Sequence, residues 1–118
     1  APAAGASRHI ARVILTARGH DTSCRAAMNI AWSPEIIDRC RNRGLLVAEF
    51  SRGDEPPNVR EIEGSTLEWG TRKAISETGR VPDIIYDHGG AGKEPMTRVL
   101  GTDPMAVALK ILSIAKET

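Results

Sequence analysis

The spacing of hydrophobic residues changes along the chain between the period of a helix and that of a strand. After a loop over 1–6, four apolar residues share one face of a helix: Ile10, Val13, Ile14 and Ala17. Ser7 is placed to cap the start of this helix, and Gly19 to end it. The rest of the chain predicts four strands, over 24–32, 45–50, 82–87 and 96–100. Helices are predicted between and after them, over 34–44, 65–78 and 104–116. A loop is predicted over 51–64 and a glycine-rich loop over 88–95.

Local signals at the helix starts support this order. Ser33 and Asp103 each precede a proline at the first helical position, and Ser65 has a glutamate three residues later, the spacing of a capping box. Because strands alternate with helices, we predict an α/β fold with a mostly parallel sheet and helices on its faces. Ligands of such sheets bind at the carboxyl ends of the strands. The richest loop in such a position is 87–95.

Composition narrows the classes of function. Lys and Arg number 16 and Asp and Glu 15, so the net charge is +1, and aromatic residues make up 3%. The near-zero net charge excludes a dedicated nucleic-acid binder, which usually carries a basic face. The low aromatic content excludes a platform on which nucleic-acid bases stack. The apolar stretches are too short for a membrane span. Cys24 and Cys40 have neither the number nor the spacing of a stapled secreted domain or a zinc site, so we expect reduced thiols in a cytoplasmic protein.

The loop that follows the strand over 82–87 is the first candidate for chemistry. Gly89, Gly90 and Gly92 would let backbone N–H groups approach an anion, and Lys93 would add a positive charge. The spacing is neither that of a P-loop nor that of a dinucleotide fingerprint. A tight glycine turn between two strands is the alternative interpretation. Asp87 at the strand end would either bind a metal ion that holds a phosphate or cap the turn.

The start of the first helix is the second candidate. Small residues entering a helix leave N–H groups free for an anion, and Arg8 and His9 would add donors, although an ordinary capped helix start has the same pattern. Asn29 lies in an apolar run, where its amide would either orient a polar ligand or bond to neighbouring backbone. Two further segments favour structural interpretations. We predict that Asp54 and Glu55 are solvated surface acids, and that Trp69 and Gly70 pack closely within a helix.

The order of these segments resembles the archaeal-type thiamine-phosphate synthase family, the ThiN domain. The resemblance covers about residues 3–115 and rests on five segments: Gly5–Arg12, Arg25–Ile30, Trp69–Gly70, Val81–Asp87 and Gly89–Met96. The last of these, which ends in GKEPM and is followed by RVLG, is the most specific.

The resemblance implies a three-layer α/β/α domain that joins hydroxymethylpyrimidine diphosphate to thiazole phosphate and releases pyrophosphate. Such domains are often the C-terminal part of a fusion with a hydroxymethylpyrimidine/phosphomethylpyrimidine kinase. Other members are fused to a helix-turn-helix domain and sense thiamine phosphates, which is the alternative function. Mg²⁺ is the expected cofactor, with no zinc and no nucleotide cofactor. The expected partners are small phosphorylated molecules and the fused domain, with the homo-oligomeric state left open and no direct contact to nucleic acid or membrane.

The resemblance also assigns site residues. His9 occupies a position tied to synthase activity, and we predict that it contacts a phosphate or donates a proton. The other predicted substrate- and phosphate-binding residues are Gly5, Ala6, Ser7, Arg8, Asn29, Asp87, Gly89, Gly90, Gly92, Lys93, Glu94, Pro95 and Met96.

Two departures or gaps qualify this resemblance. His88 stands where an Arg is common in the family, which lowers the charge offered to a phosphate at neutral pH. Another activity-linked Arg of the family lies upstream of the segment matched by Ala1, so we expect residues 1–118 to be a single domain that is a fragment lacking an N-terminal segment and a fused partner. Trp32 and Trp69 are the large rings available to flank a pyrimidine or thiazole.

Overall fold

The structure is a computed structural model that describes residues 4–60, 65–90 and 92–115. Its helices are α1 (Ala4–Arg18), α2 (Pro34–Asn42), α3 (Pro57–Arg60), α4 (Ser65–Thr78) and α5 (Pro104–Ala115). Its strands are β1 (Ala26–Ala31), β2 (Val47–Glu49), β3 (Ile84–Asp87) and β4 (Met96–Gly101). A 3₁₀ turn, Arg52–Asp54, and the single-turn helix α3 occupy much of the stretch predicted as a loop over 51–64, of which 61–64 lies outside the described residues.

The capping signals at two helices are confirmed. Ser33 Oγ accepts a hydrogen bond from the N–H of Ile36 at 3.1 Å at the start of α2. Asp103 Oδ1 accepts one from the N–H of Ala106 at 2.8 Å at the start of α5. Gly44 has φ +76°, the left-handed conformation that ends a helix at low steric cost. Local side-chain chemistry therefore fixes where these helices begin and end.

The predicted start of the first helix is wrong. We expected a loop over 1–6 and a cap at Ser7, but α1 begins at Ala4, so Ser7 lies inside the helix. The physical reason is that Ala4 and Ala6 favour helix strongly enough to extend it past the serine. The end is as predicted, since α1 stops at Arg18 and the N–H of Gly19 bonds back to Thr16 O at 3.2 Å.

The sheet is mixed rather than mostly parallel, which corrects the prediction. Its strand order is β1-β4-β3-β2; β2 and β3 run parallel, whereas β4 is antiparallel to both β3 and β1. The reason lies in the connection between β3 and β4, which is the loop 88–95 without a helix. A parallel pair needs a crossover of a dozen or more residues, so this loop makes its two strands antiparallel.

Two clusters of buried side chains form the core. The first combines α1 and α4 with the sheet: Val13, Ala17, Cys24, Ala48, Phe50, Leu67, Ala74, Ile85 and Leu100. The second combines α2 and α5 with the sheet: Ala26, Ile37, Cys40, Ile84, Tyr86, Val99, Val107 and Ile114. Ile84 and Ile85 belong to different clusters because successive side chains of a strand point to opposite faces.

The strand β1 is more exposed than its mostly apolar sequence indicates. It lies at one end of the sheet order, paired only with β4 within the described residues. Met28 is therefore 48% exposed, and Asn29 is exposed as well. The apolar sequence of this strand signals its β conformation but not its position in the sheet.

The two cysteines lie in different core clusters, and both are free and buried. Burial raises the pKa of the Cys24 and Cys40 thiols, which lowers the share of reactive thiolate. In the described part of the chain, no helix combines the length and the apolar character needed to cross a membrane.

Candidate functional site

One edge of the sheet collects the ends of three strands. The register pairs Ala31 and Asp87 with the same residue of β4, Met96, and pairs Glu49 with Tyr86. The carboxyl ends of β1, β2 and β3 therefore meet the beginning of β4. This is the edge at which the sequence predicted a ligand, and the mixed direction of the sheet leaves that placement intact.

Asp87 is the centre of a charged cluster at this edge. Its side chain is fully buried, and it accepts hydrogen bonds from Arg98 Nη1 at 2.9 Å, Arg52 Nε at 3.2 Å and the N–H of Gly89 at 2.7 Å. The bond from Gly89 is a turn-capping bond between residues two apart. The capping interpretation of Asp87 is thus confirmed by the structure.

The charges in this cluster do not cancel. Arg52 and Arg98 supply two positive charges against the single negative charge of Asp87, which leaves a surplus of one positive charge. The Arg98 side chain is 5% exposed, and burial lowers its pKa while Asp87 opposes that shift. A buried charge is tolerated only when it is paired, so Asp87 and Arg98 depend on each other.

The Arg98 guanidinium packs against the aromatic ring of Phe50. Its guanidinium carbon lies 5.4 Å from the centroid of the Phe50 ring, within the range of a cation–π contact. A Cβ on Gly70 would lie 2.5 Å from that ring, and Trp69 meets it edge-on at a centroid distance of 6.1 Å. The close packing predicted for the Trp69–Gly70 pair is confirmed.

The glycine-rich loop bonds mainly to itself. The N–H of Gly90 donates to Lys93 O at 3.1 Å, and the N–H of Lys93 donates to Gly90 O at 3.0 Å. Gly89 and Gly92 have φ values of +79° and +71°, and a Cβ on Gly89 would clash with Lys93 O. The structure therefore has the tight-turn character of the alternative interpretation. Because the N–H groups of Gly89, Gly90 and Lys93 are engaged, fewer backbone donors are left for an anion than the sequence predicted.

The remaining predicted residues of the loop sit at its return into β4. Lys93, Glu94 and Pro95 are exposed, and Met96 is half-buried as the first residue of β4.

A cluster of rings lies at the same edge on the other face of the sheet. The imidazole of His88 meets Trp32 at a centroid distance of 4.8 Å and Tyr86 at 5.5 Å, edge-on in both cases. His88 Nε2 lies 3.4 Å from Glu49 Oε2. Tyr86 belongs to the second core cluster and Trp32 packs against it, whereas Trp69 packs against the first. Trp32 and Trp69 thus pack against core clusters on opposite faces of the sheet.

The described residues do not fit a magnesium ion held by side chains. They contain no group of three or more His, Cys, Asp or Glu side chains arranged to hold a metal. Asp87, the predicted ligand, directs its oxygens to Arg52, Arg98 and Gly89. Two adjacent guanidinium groups would also repel a cation.

The structure does not bring all the predicted site residues together in one cluster. The backbone of Gly5, Ala6, Ser7 and Arg8 lies in the first turns of α1, and the side chains of the latter two lie outside what is described. His9 is exposed on α1, and within the described residues no hydrogen bond or ion pair links it to Asp87. Asn29 is exposed but pairs in register with Arg98 across β1 and β4, so it lies on the face of the charged cluster. The roles of these residues stay predictions.

Three important residues escaped the sequence analysis. Arg98 is a charge inside a strand of otherwise apolar or small residues, a signal that a buried counter-charge lies nearby. Arg52 carries no comparable signal, because its loop is rich in charge. Glu55 was predicted as solvated but is 8% exposed, and its carboxylate accepts a hydrogen bond from the Thr66 hydroxyl.

Comparison with known proteins shows what this architecture belongs to. The family model of thiamine-phosphate synthase ThiN matches residues 1–113. The chain is 48% identical over 112 residues to the bifunctional thiamine biosynthesis protein ThiDN of Methanocaldococcus jannaschii, covering 95% of this chain and 25% of that protein. It is 38% identical over 116 residues to the thiamine-phosphate synthase ThiN of Methanothermobacter thermautotrophicus, covering 98% of this chain and 61% of that protein.

Solved structures have the same fold. The C-terminal domain of phosphomethylpyrimidine kinase superposes with a TM-score of 0.84 at 39% identity, over 90% of this chain and 60% of that chain. The C-terminal domain of protein MJ0236 gives a TM-score of 0.83 at 48% identity, over 93% of this chain and 57% of that chain.

Fold and site together define an α/β domain in which two arginines surround one buried aspartate at the carboxyl edge of the sheet. The chain belongs to the thiamine-phosphate synthase ThiN family. It spans a quarter of one curated relative and about three-fifths of the other.

Proposed function

We propose that this chain is a thiamine-phosphate synthase domain, which joins hydroxymethylpyrimidine diphosphate to thiazole phosphate. The observation that carries the proposal is the surplus positive charge around Asp87 at the carboxyl edge of the sheet. Both substrates bear phosphate groups, and a fixed cationic cluster in a partly buried setting is suited to them. The biosynthetic names of both curated relatives agree with the proposal and give the regulator alternative no support.

The chemistry needs charge stabilisation and positioning. The bond between the pyrimidine methylene carbon and the diphosphate oxygen breaks, and pyrophosphate leaves with the electron pair. The thiazole nitrogen then gives its lone pair to that carbon and forms the new C–N bond. Arg52 and Lys93 would stabilise the charge on the departing group, and the edge of the sheet would align the two rings. No nucleophilic side chain is needed, and the predicted role of His9 is a phosphate contact or a proton donor.

Several finer expectations belong to the same proposal. The three-layer α/β/α arrangement is supported by the two core clusters, to which α1 and α4 contribute on one side and α2 and α5 on the other. A fused kinase domain is the proposed partner, because relatives of this chain carry bifunctional and kinase names. Mg²⁺ would accompany the diphosphate of the substrate rather than a side-chain site. A cytoplasmic location completes the proposal.

The direct test is synthesis. The full-length protein is mixed with both phosphorylated precursors and Mg²⁺, and thiamine phosphate and pyrophosphate are quantified over time. We expect equal molar amounts of the two products. Reactions that omit the thiazole phosphate or the protein serve as controls. Product formation no greater than in the protein-free control would overturn the proposal.

A further inference from the structure

We infer that Arg52 binds a phosphate group of the ligand, and that Asp87 acts as its positioning residue. The inference rests on the proposed function for the identity of the ligand, a phosphate ester or a diphosphate. The geometry itself rests on the contacts of the two arginines around Asp87.

The two arginines differ in what they leave available. Arg98 has a side chain only 5% exposed, and it lies between Asp87 and the Phe50 ring. Arg52 is 21% exposed, and its Nε bonds to Asp87 at 3.2 Å. A guanidinium has five N–H donors, of which Nε supplies one. No hydrogen bond or ion pair joins the terminal Nη groups of Arg52 to a described residue, so four N–H donors have no acceptor among the described residues.

The ion pair with Asp87 determines the direction of Arg52. A guanidinium held at Nε presents its two Nη groups as a planar fork, which matches the oxygen spacing of a phosphate. Since Arg98 already balances the charge of Asp87, a structural role for the carboxylate does not require a second cation. The second positive charge is the surplus that an anionic ligand would neutralise.

The position of Arg52 connects two loops of the site. It begins the 3₁₀ turn that follows β2, and its side chain runs beside the glycine-rich loop after β3. A Cβ on Gly90 would lie 3.6 Å from Arg52 Cδ, which is van der Waals contact. Because the N–H groups of Gly89, Gly90 and Lys93 already have acceptors, Arg52 supplies donors that the loop backbone lacks.

The test measures binding separately from turnover. Inorganic pyrophosphate is titrated into the full-length protein by calorimetry, using the parent protein and the variants Arg52→Gln, Arg52→Lys and Arg72→Gln. Arg72 is the matched control, since it is exposed on α4 and pairs with Glu68 at 2.9 Å. We expect Arg52→Gln to weaken binding by about tenfold or more, which corresponds to the loss of one charge-assisted contact. Arg72→Gln should bind like the parent protein.

The lysine variant keeps the test decisive if glutamine disturbs folding. Arg52→Lys retains the charge near Asp87 but lacks the planar fork, so we expect intermediate binding with an unchanged near-UV circular dichroism spectrum. In turnover assays, loss of Arg52 should raise KM for the diphosphate substrate and also lower kcat, because the same guanidinium would stabilise the charge on the departing group.

Binding of pyrophosphate by folded Arg52→Gln within twofold of the parent protein would overturn the inference, as would a parent protein that does not bind pyrophosphate. Arg52-dependent binding without formation of thiamine phosphate would support the inference and reject the proposed synthase activity.

Discussion

Asp83 and Asp87 lie four residues apart at opposite ends of β3, and their side chains have different surroundings. Asp83, just before the strand, accepts the N–H of Leu46 at 2.8 Å and pairs with Lys110 Nζ at 2.8 Å. Its side chain is 31% exposed. Asp87, the last residue of the strand, is fully buried and pairs with two arginines. The sequence around them, PDIIYD, is nearly symmetrical, so the difference comes from what packs against each end.

The balance of charge separates the two positions. At Asp83 one negative charge meets one positive charge, and the carboxylate also serves the backbone between β2 and β3. At Asp87 one negative charge meets two positive charges, and the Nη donors of Arg52 have no acceptor within the described part of the chain. A closed ion pair stabilises the fold, whereas a surplus of oriented charge at the edge of a sheet can bind a ligand. The comparison predicts separate effects on stability and on binding.

The largest effect is expected from Asp87→Asn. The substitution leaves Arg98 buried without a counter-charge, and breaking a buried pair in this way costs about 3–5 kcal/mol of unfolding free energy. It also releases Arg52, so pyrophosphate binding should fall with stability. Urea denaturation followed by circular dichroism measures the first effect, and calorimetry at a temperature where the variant is folded measures the second. A loss of stability no larger than that of Asp83→Asn would contradict the buried-pair account.

A smaller and purely structural effect is expected from Asp83→Asn. The amide can still accept the N–H of Leu46, but the pair with Lys110 is lost, so unfolding should become easier by about 1 kcal/mol. Formation of thiamine phosphate and binding of pyrophosphate should match the parent protein, since neither partner of Asp83 lies at the ligand edge. Reduced pyrophosphate binding in the folded variant would show that the two ends of β3 are not independent.

The contrast also explains how far the sequence predicts this protein. Features set by chemistry within a few residues were predictable from the sequence: the caps at Ser33 and Asp103 both lie where their side chains predict. The carboxyl-edge location of Asp87 and of the loop after it was readable as well, because it needs only the order of the elements.

Features that depend on distant parts of the chain were not readable. The direction of β4 follows from the lack of a helix between it and β3, and the exposure of Asn29 follows from the position of β1 at the end of the sheet. Arg52 and Arg98 lie far apart in the sequence, and Asp87 joins them only after β2, β3 and β4 have paired. No local sequence pattern predicts the contact of these three side chains.

The smallest effect on stability is expected from Lys93→Ala. This variant compares the contribution of the glycine-rich loop to phosphate binding with that of Arg52. Lys93 is exposed, so its truncation should change unfolding free energy by no more than about 0.5 kcal/mol. A solvated lysine is a less oriented partner for phosphate than a fixed guanidinium, so pyrophosphate binding should weaken by roughly two- to fivefold, less than for Arg52→Gln. Lys73→Ala is the control, because Lys73 pairs with Glu77 on α4. Binding unaltered by Lys93→Ala would remove the glycine-rich loop side chain from the phosphate site and leave Arg52 as the cation that defines it.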